Sequence, residues 1–511
     1  MKPWVRNIAC LLAGVAFASA AEAPLQMSVF AVADDVLKYL ATPADRDKAA
    51  AIFREMHITG IFLEGRRGDT YVSPETMRPI RDYFVSKGFR VSGGIATVPG
   101  QQFAAREDGK SGWINFQDPK SQRDLANFFH ENAQVFDEII IDDFYCTNDK
   151  SPMSEKARGG RAWGDYRRDL LVGLLQPMVF QPARAARPDV RLIIKYPQWY
   201  DRFHLFGYDP ARMSKPFDRV WVGTEVRNPQ TRRMGFVQPT EGYMNFRWIT
   251  SVAGEKVFGA WFDHIECTPQ NFVDQAYQSV LAGARELTLF HMGDVMEGHP
   301  GHALLKRAWG ELSALKEKVR ARSLQGIPFY KPVDSASDEN VFLMDYLGMI
   351  GLPVVPASQY PAEAKVAILG VQAAGDPEIA AKMRKHLARG AKLILTPALV
   401  QKLGKTGEDL AKRRGVEVWN VRTFSEEDYA RAGERLLAPN KLDWVEMPQG
   451  QLDPIRNRFL APLGVKLSAP AGVAFYMFGG ARCFYNFLDH PVEVVLNGQK
   501  VPIAANSLAW R

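Results

Sequence analysis

The chain has 511 residues and a formal net charge of +7, and it is 46% hydrophobic, 24% charged and 11% aromatic. A single hydrophobic core rarely extends beyond ~250–300 residues, so we expect two or three domains. The apolar content excludes intrinsic disorder. The basic residues are scattered and form no runs, which argues against nucleic-acid binding.

The first twenty residues have the pattern of a secretory signal peptide. Lys2 and Arg6 precede an apolar run, Ile8–Phe17, and Ala18-Ser19-Ala20 then supplies small residues for cleavage. The alternative is a membrane anchor, but the run is shorter than the ~20 residues that a span requires, and no later stretch is long enough. We therefore expect export to the periplasm or the medium, with no membrane span.

Three cysteines follow this segment, namely Cys146, Cys267 and Cys483, and none has the close-paired spacing of a zinc or redox motif. Cys146 and Cys267 both follow predicted strands, so a disulfide between them is one interpretation. Independent buried thiols are the preferred interpretation.

Short β-rich segments alternate with amphipathic helical stretches over the first three hundred residues. The predicted strands are Met27–Val32, Gly60–Gly65, Arg90–Thr97, Glu138–Phe144, Arg191–Tyr196, Arg219–Glu225, Val257–Asp263 and Glu286–His291. Eight such units predict a (β/α)₈ TIM barrel. A long doubly wound sheet is the alternative, but no GxGxxG follows the first strand to support a dinucleotide fold.

The alternation of barrel strands and helices ends before Gly326-Ile327-Pro328, where we place a domain boundary. We predict a signal peptide at 1–20, the barrel at 21–325, a small flavodoxin-like or amidotransferase-like α/β domain at 335–440, and a β-sandwich at 455–511. Alternating β-rich runs and an Asn497-Gly498 hairpin signal support the last of these.

Acidic residues follow several of the predicted barrel strands. Asp142 and Asp143 come directly after Ile139-Ile140-Ile141, and Glu225 follows the sixth strand, with Arg227 beside it. Active sites of TIM barrels lie at the C-terminal ends of the strands, so these carboxylates are candidate catalytic groups. The structural alternatives are a helix cap, a pair between one aspartate and Lys195, or a Glu225–Arg227 pair.

Further polar and aromatic residues at the strand ends are candidates for substrate binding. They are Glu64, Lys195, Tyr196, Trp199, Arg227, Trp261, Asp263 and His291. Aromatic rings stack on the CH faces of sugars, and glycosyl transfer requires one carboxyl to protonate the leaving oxygen while a second attacks or activates water. His264 and Glu266 share no ligand motif with His291, so neither a metal nor another cofactor is predicted.

The domain order resembles that of the trimeric β-galactosidases, which have a barrel, an amidotransferase-like domain and a small β-sandwich. Residues 382–400, with Arg389-Gly390-Ala391, look like the helix-glycine-strand element of the middle domain, and Cys483-Phe484-Tyr485-Asn486-Phe487-Leu488-Asp489 looks like a strand of the sandwich. The resemblance implies oligomerisation through the middle domain.

The strand ends of the barrel depart from that family. Its members carry Asn-Glu after strand four and a glutamate after strand seven, where this chain has Asp142-Asp143 and Asp263. An acid after strand four with another after strand six instead resembles α-galactosidase-type barrels, which take the nucleophile and the acid/base from those strands.

Together these features predict a secreted glycoside hydrolase acting on an oligo- or polysaccharide. We expect Asp143 or Asp142 as nucleophile or base and Glu225 as general acid/base. The alternatives are a non-catalytic carbohydrate-binding or assembly protein on the same scaffold, and a polysaccharide lyase or deacetylase.

Overall fold

A computed structural model describes residues 23–109, 111–229, 238–421, 423, 425 and 445–511. The predicted signal peptide lies outside the described residues. No helix in the described part is long and apolar enough to cross a bilayer. Cys146, Cys267 and Cys483 are unpaired, so the structure favours independent thiols over a disulfide.

Eight parallel strands close into a barrel. They are β1 (Gln26–Ala31), β2 (Gly60–Arg67), β3 (Arg90–Ala96), β4 (Glu138–Ile141), β5 (Arg191–Tyr196), β6 (Arg219–Gly223), β7 (Val257–Phe262) and β8 (Glu286–Phe290). The sheet is closed because β1 pairs in parallel with both β2 and β8. A two-residue strand, Thr70–Tyr71, pairs antiparallel with the end of β2. The predicted (β/α)₈ barrel is confirmed.

Helices connect the barrel strands. They span Ala33–Tyr39, Pro43–Glu55, Pro74–Ser86, Pro119–Ala133, Pro152–Arg158, Trp163–Leu175, Gln181–Ala186, Phe203–Phe206, Pro210–Met213, Glu241–Ala253, Pro269–Leu281, Met292–Glu297 and Pro300–Arg320, with a π-helical turn at Gln176–Phe180 and 3₁₀ turns at Tyr200–Arg202 and Gly254–Lys256.

The local sequence fixes where several of these helices begin. Thr42, Ser73, Asp118 and Thr268 each accept a hydrogen bond from a backbone N–H in the first turn, and each is followed by proline. An oxygen-bearing cap satisfies an orphan N–H, while proline needs no donor at the first helical position. The loops at the barrel mouth therefore enter these helices at defined residues.

Large apolar side chains fill the barrel interior. A separate apolar cluster contains Phe30, Val32, Phe62, Ile140, Ile193, Trp221 and Trp261. Side chains alternate along a strand, so the residue two positions after an inward-facing one also points inward, one layer higher. Glu64, Asp142, Lys195 and Asp263 stand in that relation to Phe62, Ile140, Ile193 and Trp261.

A five-stranded parallel sheet follows the barrel, in the order Val354–Ala357, Ile327–Tyr330, Val366–Leu369, Lys392–Leu395 and Val416–Val418. Its helices are Leu343–Met349, Ile379–Ala388, Pro397–Lys402 and Gly404–Ala411, with 3₁₀ turns at Asp338–Asn340 and Val371–Gly375. This is the small α/β unit that the sequence predicts.

The C-terminal part is β-rich, as predicted. After a helix, Gln449–Leu460, and a 3₁₀ turn, Ala461–Leu463, it forms two antiparallel sheets. One contains Leu324–Gln325, Val473–Phe478, Ala481–Asn486 and Ser507–Trp510, and the other contains Leu467–Ser468, Val492–Leu496 and Gln499–Ile503. The strand Leu324–Gln325, which precedes the middle sheet, ties the end of the barrel to this unit.

Candidate active site

Lys195 lies at the centre of the barrel mouth. Its Nζ is 2.8 Å from Asp143 Oδ2, 2.8 Å from Glu225 Oε1 and 3.4 Å from Asp142 Oδ1. All four side chains are buried or nearly so, and Nζ lies 4.5 Å from the ring centroid of Trp261 below it. The three predicted catalytic carboxyls therefore share one environment around a single cation.

Arg67 joins Asp142 to Glu64. The guanidinium is 2.9 Å from Asp142 Oδ2, and its Nε donates to Glu64 Oε2 at 3.0 Å. Glu64 also accepts from the backbone N–H of Ala33 at 2.8 Å. Glu64 is completely buried and anchors Arg67. The predicted role of Glu64 in substrate binding is therefore wrong, because no sugar hydroxyl can reach it.

Arg227 pairs with Asp263 on the other side of the mouth. Nη2 is 3.0 Å from Oδ2, and Nη1 donates to Oδ1. The Asp263 Oδ1 also accepts from the backbone N–H of Ile265 at 2.8 Å. Asp263 thus fixes Arg227 beside Glu225 and has little surface left for a substrate, which corrects its predicted role.

The cluster holds more carboxyl groups than cations. It contains five acids and three cationic side chains, namely Glu64, Asp142, Asp143, Glu225 and Asp263 with Arg67, Lys195 and Arg227. If every acid were ionised, two negative charges would remain in excess in a poorly solvated space, which is unfavourable. The cluster therefore retains protons near neutral pH.

The acids differ in how their surroundings act on them. Burial would raise the pKa of Asp142, but Lys195 and Arg67 together hold it below its usual value. Burial raises the pKa of Asp143 to about 8. Lys195 opposes this effect, whereas the negative charges of Asp142 and Glu225 add to it. Burial raises the pKa of Glu225 against the opposing charge of Lys195, while the charge of Asp263 adds to the effect of burial and that of Arg227 opposes it. Asp142 is therefore the permanent carboxylate.

His291 borders the mouth at the end of β8. Its Nδ1 lies 2.6 Å from Asp35 Oδ2 and its Nε2 3.4 Å from Asp294 Oδ2. Burial lowers the pKa of His291, but Asp35 and Asp294 outweigh this effect and raise it. The side chain is 28% exposed, so His291 is placed where substrate can reach it.

Two of the predicted aromatic residues offer no exposed surface at the mouth. Trp261 is 1% exposed and packs in the barrel interior, so it is the floor of the site and offers no face to a sugar. Tyr196 follows the inward-facing Lys195 by one position and points outward, where its hydroxyl lies 3.0 Å from Ser214 Oγ. Trp261 points inward but lies one layer below the strand-end acids, and strand alternation turns Tyr196 outward.

Trp199 is the predicted aromatic residue that remains partly exposed. It stacks on Trp113, with ring centroids 6.0 Å apart and an interplanar angle of 16°. Sequence reasoning missed Trp113, Arg67, Asp35 and Asp294. Arg67 and Asp294 could have been found as charged neighbours of predicted strand ends, whereas Trp113 lies in a loop without periodic signal.

Within the described part of the chain, no group of three or more histidine, cysteine or acidic residues is arranged to hold a metal ion. Lys195 and Arg67 occupy the positions between the acids.

Residues 15–322 match the family model described as "Probable glycosyl hydrolase, catalytic domain". Residues 321–425 match the model for the second domain of uncharacterized protein SSO3021. That protein, from Saccharolobus solfataricus, is 24% identical over 341 residues, which are 59% of this chain and 55% of the relative. The chain thus spans about half of that relative's length.

Two solved structures share the overall fold. A β-galactosidase from Rahnella sp. R3 superposes with a TM-score of 0.62 at 9% identity, covering 96% of this chain and 99% of the other. An α-L-fucosidase from Paenibacillus thiaminolyticus gives 0.61 at 11% identity, covering 96% and 93%. The resemblance to TIM-barrel glycoside hydrolases in the sequence is thereby confirmed at the level of fold. Because the family model spans more than half of the chain, the protein belongs to the family described as "Probable glycosyl hydrolase, catalytic domain".

Proposed function

We propose that this protein is a retaining glycoside hydrolase whose catalytic pair is Asp143 and Glu225. The observation that carries the proposal is the bridge made by Lys195, which holds an oxygen of each carboxyl 2.8 Å from the same nitrogen. The two oxygens are therefore no more than twice that distance apart. Retaining enzymes place their carboxyl groups ~5–5.5 Å apart and inverting enzymes ~6.5–9.5 Å, and the shared contact with one nitrogen favours the shorter separation.

Electrostatics supports assigning Asp143 as the acid. Asp143 shares one lysine with the negative charges of Asp142 and Glu225, and its pKa is raised to about 8 by burial. Burial and the charge of Asp263 raise the pKa of Glu225, but this acid faces two cations, Lys195 and Arg227, which oppose them. When the pair holds one proton, Asp143 keeps it and Glu225 is the carboxylate. These roles are the reverse of those that the α-galactosidase resemblance implies.

The first step follows from this charge distribution. Asp143 gives its proton to the glycosidic oxygen as the bond to the anomeric carbon breaks, and Glu225 attacks that carbon to form a glycosyl ester. In the second step Asp143 removes a proton from water, which attacks the same carbon and releases Glu225. The carboxylate of Asp142 remains charged throughout, held by Arg67 and Lys195.

Substrate contacts are proposed for the exposed rim of the mouth. The stacked pair Trp113 and Trp199 offers a flat surface for a sugar ring. The side chain of His291 is partly exposed and held by Asp35, which suits a hydrogen bond to a sugar hydroxyl. We infer an oligo- or polysaccharide substrate, which an exported enzyme encounters after removal of residues 1–20.

Amide variants test the catalytic roles. On a panel of aryl glycosides, Glu225→Gln is expected to lose at least ~10³-fold in kcat for every leaving group, because the nucleophile is gone. Asp143→Asn is expected to keep kcat/KM for dinitrophenyl glycosides, whose leaving group needs no protonation, but to lose kcat because no base remains to deprotonate water in the second step. Azide, which attacks without a base, should restore kcat. The exposed Glu408→Gln is the control and should match the unaltered enzyme.

The outcomes separate the alternatives. Full activity of both variants contradicts the pair, and azide rescue of Glu225→Gln in place of Asp143→Asn reverses the roles. Oligosaccharide binding without release of reducing ends favours a non-catalytic carbohydrate-binding protein. An unsaturated product indicates a lyase, and released acetate indicates a deacetylase.

A further inference from the structure

Glu225 lies just beyond the end of β6, where the backbone pairing with β7 stops. The N–H of Thr224 donates to the backbone oxygen of Trp261 at 2.8 Å. The next backbone hydrogen bond between the two segments runs from the N–H of Asn228 to the oxygen of Glu266, at 3.1 Å. The position of Glu225 therefore depends on contacts other than strand pairing.

The side-chain amide of Gln275 bridges the two segments in this gap. Its Oε1 accepts from the backbone N–H of Val226 at 3.0 Å, and its Nε2 donates to the backbone oxygen of Asp263 at 2.8 Å. Nε2 also lies 3.6 Å from Cys267 Sγ. Gln275 is 1% exposed, so water does not compete for these bonds. A primary amide offers a donor and an acceptor, as a peptide unit does, and here it adds one more rung between β6 and β7.

The partners of Gln275 fix the direction of its amide. The N–H of Val226 can only donate and the oxygen of Asp263 can only accept, so Oε1 and Nε2 cannot exchange places. A carboxylate at this position would lack the donor, and an apolar side chain would lack both groups. Glutamine therefore matches both partners at once.

Side chains also hold the residues before Glu225. Asn245 Nδ2 donates to the backbone oxygen of Gly223 at 2.8 Å, and Ser279 Oγ lies 2.9 Å from Thr224 Oγ1. Both Asn245 and Ser279 are fully buried. These contacts fix the chain before Glu225, and the amide bridge fixes the chain after it.

We infer that Gln275 is a positioning residue for the proposed nucleophile, because its amide sets the place of Glu225 relative to the Arg227–Asp263 pair. The inference rests on the proposed function, which assigns the attack to Glu225. Gln275 acts through the backbone on either side of it. A displacement of about 1 Å can slow a reaction by about 10²-fold, so loss of the bridge should slow the attack more than it weakens substrate binding.

The kinetics of covalent trapping measure this attack. The full chain is mixed with the dinitrophenyl 2-deoxy-2-fluoro glycoside of the sugar that the aryl glycoside panel selects. The burst of dinitrophenolate gives a maximum rate constant and an apparent Ki. Gln275→Met keeps the length of the side chain but makes neither bond, so its rate constant should fall at least about tenfold while Ki stays within about twofold of the parent.

Gln278→Met is the matched control. Gln278 is a fully buried glutamine on the same helix, but its Oε1 accepts from the hydroxyl of Tyr476 at 2.5 Å, in the C-terminal β-rich part. Each variant loses buried hydrogen bonding, so both should lose stability in urea unfolding, whereas only Gln275→Met should lose attack rate. An equal fall in rate in the two variants would indicate general destabilisation of the helix and overturn the inference.

A glutamate variant tests the bridge even if Gln275→Met folds poorly. In Gln275→Glu a protonated carboxyl can accept from Val226 and donate to Asp263, whereas an ionised carboxyl cannot donate. The ratio of its trapping rate constant to that of the parent should therefore fall as the pH is raised. A ratio that does not change with pH would overturn the inference. The charged groups that act on the adjacent Cys267 are the same in both proteins, namely Arg227, Asp263 and Asp274.

Failure of this inference differs from failure of the proposed function. A parent protein that takes no label on Glu225 refutes both. A parent that is labelled on Glu225 no faster than Gln275→Met refutes the role of Gln275 alone.

Discussion

Lys195 is the one cation of the described cluster that contacts Asp142, Asp143 and Glu225 together. Its ammonium is buried, and burial lowers its pKa, but the carboxyls of Asp143, Glu225 and Asp142 more than compensate and hold the pKa above its usual value. The lysine is thus a fixed cation. It holds one oxygen of Asp143 and one of Glu225 2.8 Å from the same nitrogen, as the proposed catalytic pair requires.

Removing that charge should affect stability and activity together. In Lys195→Met the carboxyls lose their common cation, so we expect a free energy of unfolding lower by about 3–5 kcal/mol at pH 8 and loss of turnover. At pH 5 the deficit should shrink, because the acids can take up protons. Urea unfolding at both pH values measures this, with the half-exposed Lys306→Met as control. An equal deficit at the two pH values would contradict the role given to Lys195.

At the level of strands, the alternation of side chains decides which residues reach the site. The sequence predicts eight strands, and the strand-end acids lie where a barrel brings them together, because the C-terminal ends of parallel strands share one rim. The same alternation, applied to Trp261 and Tyr196, would have placed one in the barrel floor and the other outside. The pairing of Arg67 with Glu64 depends on a register shift in β2 between Glu64 and Arg66, and the pairing of Arg227 with Asp263 depends on loop geometry. Neither can be predicted from sequence spacing.

Two tryptophans test this difference between floor and rim. Trp261→Ala should destabilise the fold by about 3–5 kcal/mol, because it leaves a cavity under Lys195. Trp199→Ala should change the free energy of unfolding much less and should raise KM with a smaller effect on kcat, because its ring lies at the rim. Chemical unfolding and steady-state kinetics check both. A rise in KM for a Trp261→Ala protein of unchanged stability would contradict the assignment.

At the scale of the whole molecule, a buried polar cluster joins the barrel to the middle sheet. The hydroxyl of Tyr200 donates to Asp345 Oδ1 at 2.7 Å, and the backbone N–H of Phe342 donates to Asp201 Oδ2 at 2.7 Å. Glu241 is fully buried beside them, and neither of its oxygens has a hydrogen-bond partner among the described residues. Ionising Glu241 in the folded protein is therefore costly.

Glu241 should make stability fall as the pH rises. Burial raises its pKa, as do the charges of Asp345, Glu225 and Asp201, with only Arg227 opposing. A raised folded-state pKa means that the unfolded state ionises first, above its pKa of ~4.3. Stability is therefore highest below that value and is lost, by about 1.4 kcal/mol per pH unit for one proton, up to the folded-state pKa.

Substitution by glutamine should flatten this dependence. Glu241→Gln is expected to lose less stability between pH 5 and pH 7 than the parent, whereas the exposed Glu408→Gln should keep the original slope. Thermal or urea unfolding across that range measures the effect. Identical slopes for parent and Glu241→Gln would show that this carboxyl is not protonated in the fold.

Covalent trapping of the glycosyl enzyme directly tests whether Glu225 is the nucleophile of a retaining hydrolase. The protein is incubated with the 2-deoxy-2-fluoro form of the best aryl glycoside from the panel, digested and analysed by mass spectrometry, and the anomer first released from the substrate is read by NMR. A single label on Glu225 and a product of retained configuration are expected. A label on another residue, or an inverted product, would contradict it.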